Sequence, residues 1–257
     1  MAASKVAREA VSTSAAKWEA VMGAKGLMRW PALYRWVPRP VRRRARDIVW
    51  LARVRAALRG LEAAPPGQAP ARDLLRRVYR AWGNDGWSAD LEYLEEVARC
   101  AVSTPGPILE CGSGATTLLL ATLAAARGVE VWVLENSPTW QAQVARALGA
   151  ERAARLRLCA TALRDFGEFD WYDAPAAQMP GDFRLVVCDG PPGTVRGGRY
   201  GLVPILGSHL APGAVILLDN ADRPKEMAAL KRWQRDAGLS VQCHRHPGGM
   251  FVTARTP

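Results

Sequence analysis

Pro107-Ile108-Leu109-Glu110-Cys111-Gly112-Ser113-Gly114-Ala115-Thr116-Thr117-Leu118 is the stretch on which the fold of this chain is read. Ile108 and Leu109 follow a Pro/Gly break and suit a short buried strand. Gly112 and Gly114 allow a tight turn and a close approach that a side chain would forbid. From Ala115 the text is rich in Thr, Leu and Ala and reads as a helix to about residue 127. A helix that opens behind a glycine turn presents free N–H groups and a positive dipole end, which is a place to hold a polar or anionic cofactor group.

Working outward, strands are expected near 107–111, 129–134, 154–159, 183–188 and 214–218. Helices near 115–127, 138–149, 201–210 and 224–237 separate them. The runs Leu239–Arg245 and Met250–Arg255 flank His246-Pro247-Gly248-Gly249 and read as a hairpin. Repeated strand–helix units predict an α/β fold, a doubly wound, mostly parallel sheet of seven strands with an antiparallel C-terminal hairpin. Upstream, a helix near 72–82 precedes the turn Asn84-Asp85-Gly86, and Ser88 is placed to cap a helix running from Ala89 to about Ala101.

Charge divides the chain. The formal net charge is +11, and residues 1–60 hold 14 Lys/Arg against 3 Asp/Glu while residues 61–257 hold 21 against 21. The balanced remainder argues against a catalytic domain built to grip nucleic acid. Residues 29–61 instead mix Trp30, Tyr34 and Trp36 with Arg42-Arg43-Arg44-Ala45-Arg46, then Ile48, Trp50, Leu51, Val54 and Leu58 at helical spacing. Such a segment suits an Arg-rich helix packed on the domain, an anionic membrane surface or, least of the three, nucleic acid. On a helical wheel Arg44, Arg55 and Arg59 interrupt the face of Ile48 and Leu51. Residues 1–28 read as a frayed helix or tail without a continuous apolar core. The five cysteines show no Cys-x-x-Cys or Cys/His metal spacing and are expected to be reduced thiols of a cytoplasmic protein, peripheral to a membrane at most.

The cofactor is narrowed by what surrounds the glycines. A dinucleotide fingerprint wants a third glycine where Thr117 stands. Glu110 precedes the turn, and Glu135 lies 21 residues beyond Gly114 at the tip of the second strand, where a carboxylate can accept both hydroxyls of a ribose. Together with Asp189 after the fourth strand and the C-terminal hairpin, these residues give the chain a resemblance to the class I S-adenosylmethionine-dependent methyltransferases over roughly residues 88–257. Asp189-Gly190-Pro191-Pro192-Gly193, Arg199-Tyr200 and Asp219-Asn220-Ala221-Asp222-Arg223 look like a bacterial branch similar to polysaccharide O-methyltransferases.

The resemblance implies a Rossmann-like domain over 72–257 that binds S-adenosylmethionine, preceded by a basic helical extension and Pro-rich linker over 1–71. It implies that Gly112, Ser113 and Gly114 pack on the methionine part of the cofactor and that Glu110 orients its amino group. Glu135 would hold the ribose, Asn136 would lie beside the adenine, and Ala162 and Leu163 would edge it. Asp189 would be the catalytic base or orienter, and Arg199, Tyr200 and Arg223 would meet a small-molecule or sugar acceptor. A similarity to catechol-type O-methyltransferases adds Mg²⁺ on Asp189, Asp219 and Asn220, although the Gly-Pro-Pro-Gly loop departs from that pattern. Two other readings stay open at this point: a nicotinamide-dependent oxidoreductase, disfavoured by Thr117 and Glu110, and a non-catalytic module of the same fold.

Overall fold

The computed structural model describes residues 38–65, 67–83 and 89–257. The expected tail over 1–28, the aromatic-basic run up to Val37, the turn at Asn84–Gly86 and the Ser88 cap lie outside the described residues.

Three helices lead in: α1 (Arg39–Glu62), α2 (Arg72–Trp82) and α3 (Leu91–Ser103). Then follow β1 (Ile108–Cys111), α4 (Ala115–Leu123), β2 (Val131–Glu135), α5 (Pro138–Leu148), α6 (Ala150–Ala153) and β3 (Arg157–Ala160). The second half holds β4 (Leu163–Asp165), β5 (Asp170–Tyr172), β6 (Phe183–Cys188), α7 (Leu202–Leu206), β7 (Leu210–Leu218), α8 (Pro224–Ala237), β8 (Ser240–His246) and β9 (Gly249–Arg255).

Seven strands form one sheet in the order β3-β2-β1-β6-β7-β9-β8. β1 pairs in parallel with β2 and β6, and β6 with β7, while β9 runs antiparallel to both β7 and β8. The expected doubly wound sheet and terminal hairpin are therefore present. The strand order reverses between β1 and β6, so the crevice beyond their carboxyl ends is where such a sheet takes its ligand. Both faces are covered. One core joins Val54, Leu58, Leu61 and Tyr93 to Leu118, Val133 and Val187. The other joins Leu109 and Val186 to Trp171, Leu202 and Trp233.

Several boundaries differ from the sequence expectation. The third strand starts at Arg157 rather than Ala154, because Ala150–Ala153 closes a helical turn first. The helix expected over 201–210 stops at Leu206 and gives way to a 3-10 turn over Gly207–His209. β7 begins at Leu210 and runs through Pro212 and Gly213, and its register with β6 shifts there, the irregularity these two residues impose on a strand. The pair β4–β5 was not foreseen, because three-residue strands carry no readable period. In α1, Ile48 is not on the face of Leu51: Val54, Leu58 and Leu61 are buried while Ile48 is exposed. The cysteines are free, with Cys100, Cys111 and Cys188 buried and Cys243 exposed.

Candidate active site at the strand tips

The tips of β1 and β6 touch through two glycines. A Cβ on Gly112 would lie 2.7 Å from the Gly190 nitrogen, and a Cβ on Gly190 would lie 2.6 Å from the Gly112 Cα. Gly112 also has φ +85°, so both space and backbone demand glycine. The Gly190 N–H donates to the Cys111 carbonyl at 2.6 Å and seals the contact. Gly114 differs: the nearest atom to a Cβ there is Trp140 Cζ2 at 4.0 Å. A methyl group there, at the N-terminus of α4, would therefore sit in ordinary van der Waals contact with Trp140, although Gly114 is itself buried.

Glu110 lies wholly buried on the α4 side of β1. The Thr116 hydroxyl donates to its Oε1, while Oε2 has no partner. Burial pushes its pKa up to about 8, and the neighbouring charges that act on it, Asp189 and Glu135, raise it further. Thr117, standing where a dinucleotide site has glycine, accepts the Gly114 N–H at 2.8 Å and fixes the turn. Glu135 ends β2 and is also buried. Its Oε2 accepts the Ser113 N–H at 2.9 Å and the Ser113 hydroxyl at 2.8 Å, and its Oε1 accepts the Ser137 N–H at 2.8 Å. Burial raises its pKa against those hydrogen bonds. Glu135 thus ties the glycine loop to the β2 tip and keeps acceptor capacity on Oε1. Asn136 follows half-buried. The Thr161 N–H donates to the Glu135 carbonyl at 2.8 Å, which sets exposed Ala162 and half-buried Leu163 just beyond the same tip.

The β6–β7 side is built around Arg199. Its side chain is 1% exposed. It donates to the main-chain carbonyls of Asp219 and Asp189, and lies 3.2 Å from Asp189 Oδ1. Burial would lower its pKa, but Asp189 first among the surrounding anions raises it above the ordinary arginine range. Asp189 keeps 27% of its side chain exposed. Asp219 is buried with Oδ1 unpartnered, and burial followed by the charge of Asp189 raises its pKa. Asn220 has φ 48°, a conformation that asparagine tolerates.

Two expectations are corrected here. Arg199 does not face an acceptor, because its guanidinium is buried on main-chain oxygens. The Mg²⁺ set of Asp189, Asp219 and Asn220 does not fit either: a fixed cation already stands between the two strand tips, and a divalent ion beside it would be repelled. Among the described residues no group of three His, Cys, Asp or Glu is arranged to hold a metal. Tyr200 has its ring edge-on to Phe169 and under the Arg232 guanidinium at 3.6 Å, lining a groove of about 230 Å³ between α7 and α8. Arg223 is exposed at the start of α8, against Gly193 of the Gly-Pro-Pro-Gly loop.

Sequence reasoning missed three side chains near the tips. Tyr172 is buried with its hydroxyl unpartnered, 2.5 Å from where a Gly190 Cβ would stand. Trp140 donates its indole N–H to the Ser113 carbonyl. The His246 side chain is 5% exposed and lies 3.9 Å from both Asp90 and Glu92, with neither ring nitrogen hydrogen-bonded. Only the length of the Tyr172 and Trp140 side chains hinted at such reach, and His246 carried no motif.

No family model matches the sequence, and no curated protein matches it. Solved structures do. An O-methyltransferase from Bacillus cereus in complex with SAH is 16% identical, with a TM-score of 0.50 over 72% of this chain and 90% of that one. An SAH-bound methyltransferase from Podospora anserina is 15% identical, with a TM-score of 0.50 over 91% of this chain and 100% of that one. At such identities the likeness establishes the fold alone, the Rossmann-like α/β fold that these two methyltransferases share with this chain.

Proposed function

We propose that this chain is an S-adenosylmethionine-dependent methyltransferase acting on a hydroxyl of a small-molecule or carbohydrate acceptor. The observation that carries the reading is Glu110, a buried carboxylate with one oxygen unpartnered, beside the anions Asp189 and Glu135 and on the strand that leads into the glycine turn. An ammonium group there would satisfy the oxygen and neutralise the charge, which is what the methionine end of the cofactor offers. The SAH carried by both structures above supports the same reading.

Bound, the cofactor supplies a methyl group on a positively charged sulfur. Glu110 would orient the ammonium, and Glu135 would accept from a ribose hydroxyl through Oε1. Asp189, part-exposed at the β6 tip and anchored from behind by Arg199, would hold the acceptor hydroxyl and take its proton. Most of the acceleration would come from alignment of donor and acceptor between the β1 and β6 tips. Arg223 is placed to meet acceptor hydroxyl or anionic groups at the loop edge.

Titration calorimetry with S-adenosylmethionine, S-adenosylhomocysteine and NAD tests this. Binding of the first two and not the third is expected. Binding of NAD alone would overturn the reading in favour of an oxidoreductase, and binding of none in favour of a non-catalytic module.

A further inference from the structure

α1 has two apolar faces. Trp50, Leu51, Val54, Leu58 and Leu61 are turned toward the domain, with Val54, Leu58 and Leu61 fully buried. Val41, Ala45, Ile48 and Ala52 recur at spacings of four, three and four on the opposite side, with Val49 and Ala56 beside them. Val41 is 52% exposed, Ile48 66% and Val49 37%; among the described residues the only other large apolar side chain so exposed is Met227. Nothing from Arg39 to Val49 is buried. Arg44 borders this outer stripe on one flank and Arg46 and Arg53 on the other, while Arg55 turns to the domain and donates to the Arg146 carbonyl at 2.9 Å. The row containing Arg44 and Arg55 separates Ile48 from Leu51, which is why a single wheel face looked interrupted.

The direction of the helix is fixed. Trp50 donates its indole N–H to the Trp82 carbonyl at 3.0 Å, and the Trp82 ring lies 5.6 Å from that of Trp140, which reaches Ser113 at the glycine loop. At the other end Glu62 pairs with Arg152 at 2.6 Å, beyond the C-terminus of α5. The half of α1 that has no buried residue, tied to the domain by Asp47 at 3.8 Å from Arg146, therefore leads from the strand-tip end of the sheet.

We propose that the outer face of α1 docks this protein on an anionic lipid bilayer, with the strand tips on the docked side. The helix carries eight arginines against Asp47 and Glu62. A shallow apolar stripe between flanking arginines suits a helix lying in a bilayer interface, its guanidinium groups reaching outward to phosphates. Self-pairing along this stripe would set those arginines against each other. The sequence just upstream, with Trp30, Tyr34 and Trp36 among arginines, has the composition of an interfacial segment.

Flotation of the full chain with vesicles tests the proposal. At about 50 mM salt the protein is expected to float with equal parts phosphatidylglycerol and phosphatidylcholine, not with phosphatidylcholine alone, and to be released at about 500 mM salt. Ile48→Asp should weaken partitioning about tenfold and Arg44→Glu with Arg53→Glu at least as much, while Met227→Asp leaves it unchanged. All variants should melt with the wild type, since the changed side chains are exposed. Failure to float at low salt, equal flotation of Ile48→Asp, or equal binding to neutral vesicles would overturn it. So would a dimer that Ile48→Asp dissolves, or capture by an acidic polypeptide with vesicles ignored.

Discussion

The two halves of the strand-tip crevice differ in whether the chain itself supplies a cation to their carboxylates. On the β1–β2 side Glu110 meets the hydroxyls of Thr116 and Thr117 and keeps an unfilled oxygen, with no cation among the charges that act on it. On the β6–β7 side Arg199 supplies an internal cation to Asp189 and the Asp219 main chain. Burying a carboxylate is costly unless its charge is met or removed. The first half is therefore completed by a ligand that brings positive charge, whereas in the second Arg199 already meets Asp189 and leaves only Asp219 Oδ1 unpartnered.

Removing the internal cation is the strongest way to break this contrast. Arg199→Met leaves Asp189 and Asp219 facing each other, and should destabilise the protein by about 3–5 kcal/mol. That lowers Tm by roughly 10 °C for a chain of this size, read by scanning calorimetry. A near-neutral variant would mean the guanidinium does not hold the two tips. In the wild type, neither Mg²⁺ nor EDTA should move Tm; a clear rise with Mg²⁺ would restore the metal site.

Glu110→Gln probes the opposite half. The Glu110 pKa is about 8 in the fold against an ordinary 4.5, so the folded state binds the proton more tightly than the unfolded one. Stability from this group is full below pH 4.5 and declines as pH rises to about 8. The variant should accordingly gain up to about 5 kcal/mol over the wild type at pH 9 and nothing near pH 4, in urea melts across that range. It should also lose cofactor binding. In the wild type at pH 7 the cofactor ammonium should expel a proton from Glu110, seen as a buffer-dependent heat in calorimetry. No proton release would remove Glu110 from the ammonium site.

The glycines sharpen the comparison at smaller scale. Gly112→Ala sets a methyl against the Gly190 backbone at positive φ, and should cost roughly 2–3 kcal/mol as well as binding. Gly114→Ala meets nothing closer than 4.0 Å in the chain. It should change stability by under about 0.5 kcal/mol yet weaken S-adenosylmethionine binding about tenfold or more. Equal stability losses at both positions would mean that Gly114 serves packing rather than a ligand.

Much of the fold was legible because it rests on local signals. The alternation of apolar runs with helices, the glycine turn at 112–114 and the hairpin break at Pro247–Gly249 each lie within a few residues. The site was legible in part. Glu110 and Glu135 were found from their spacing around the glycines, and both sit buried at neighbouring tips. Arg199 was misread because an arginine after a strand looks like a surface group until Asp189 and Asp219, ten and twenty residues away on either side, fold around it. Ile48 was misplaced because a helical wheel cannot say which of two apolar faces has a core behind it.

The sequence by itself determined the strand–helix alternation, the positions of the acidic strand tips and the basic character of the leading quarter. These follow from backbone propensity and side-chain period, which act over neighbouring residues. Only the tertiary structure decided that Gly112 is glycine for the sake of Gly190, that Arg199 is buried against Asp189 and the Asp219 carbonyl, and that one face of α1 is left without a cover among the described residues. Those depend on which distant segments meet, and on whether the charge or apolar surface buried there finds a partner in the chain.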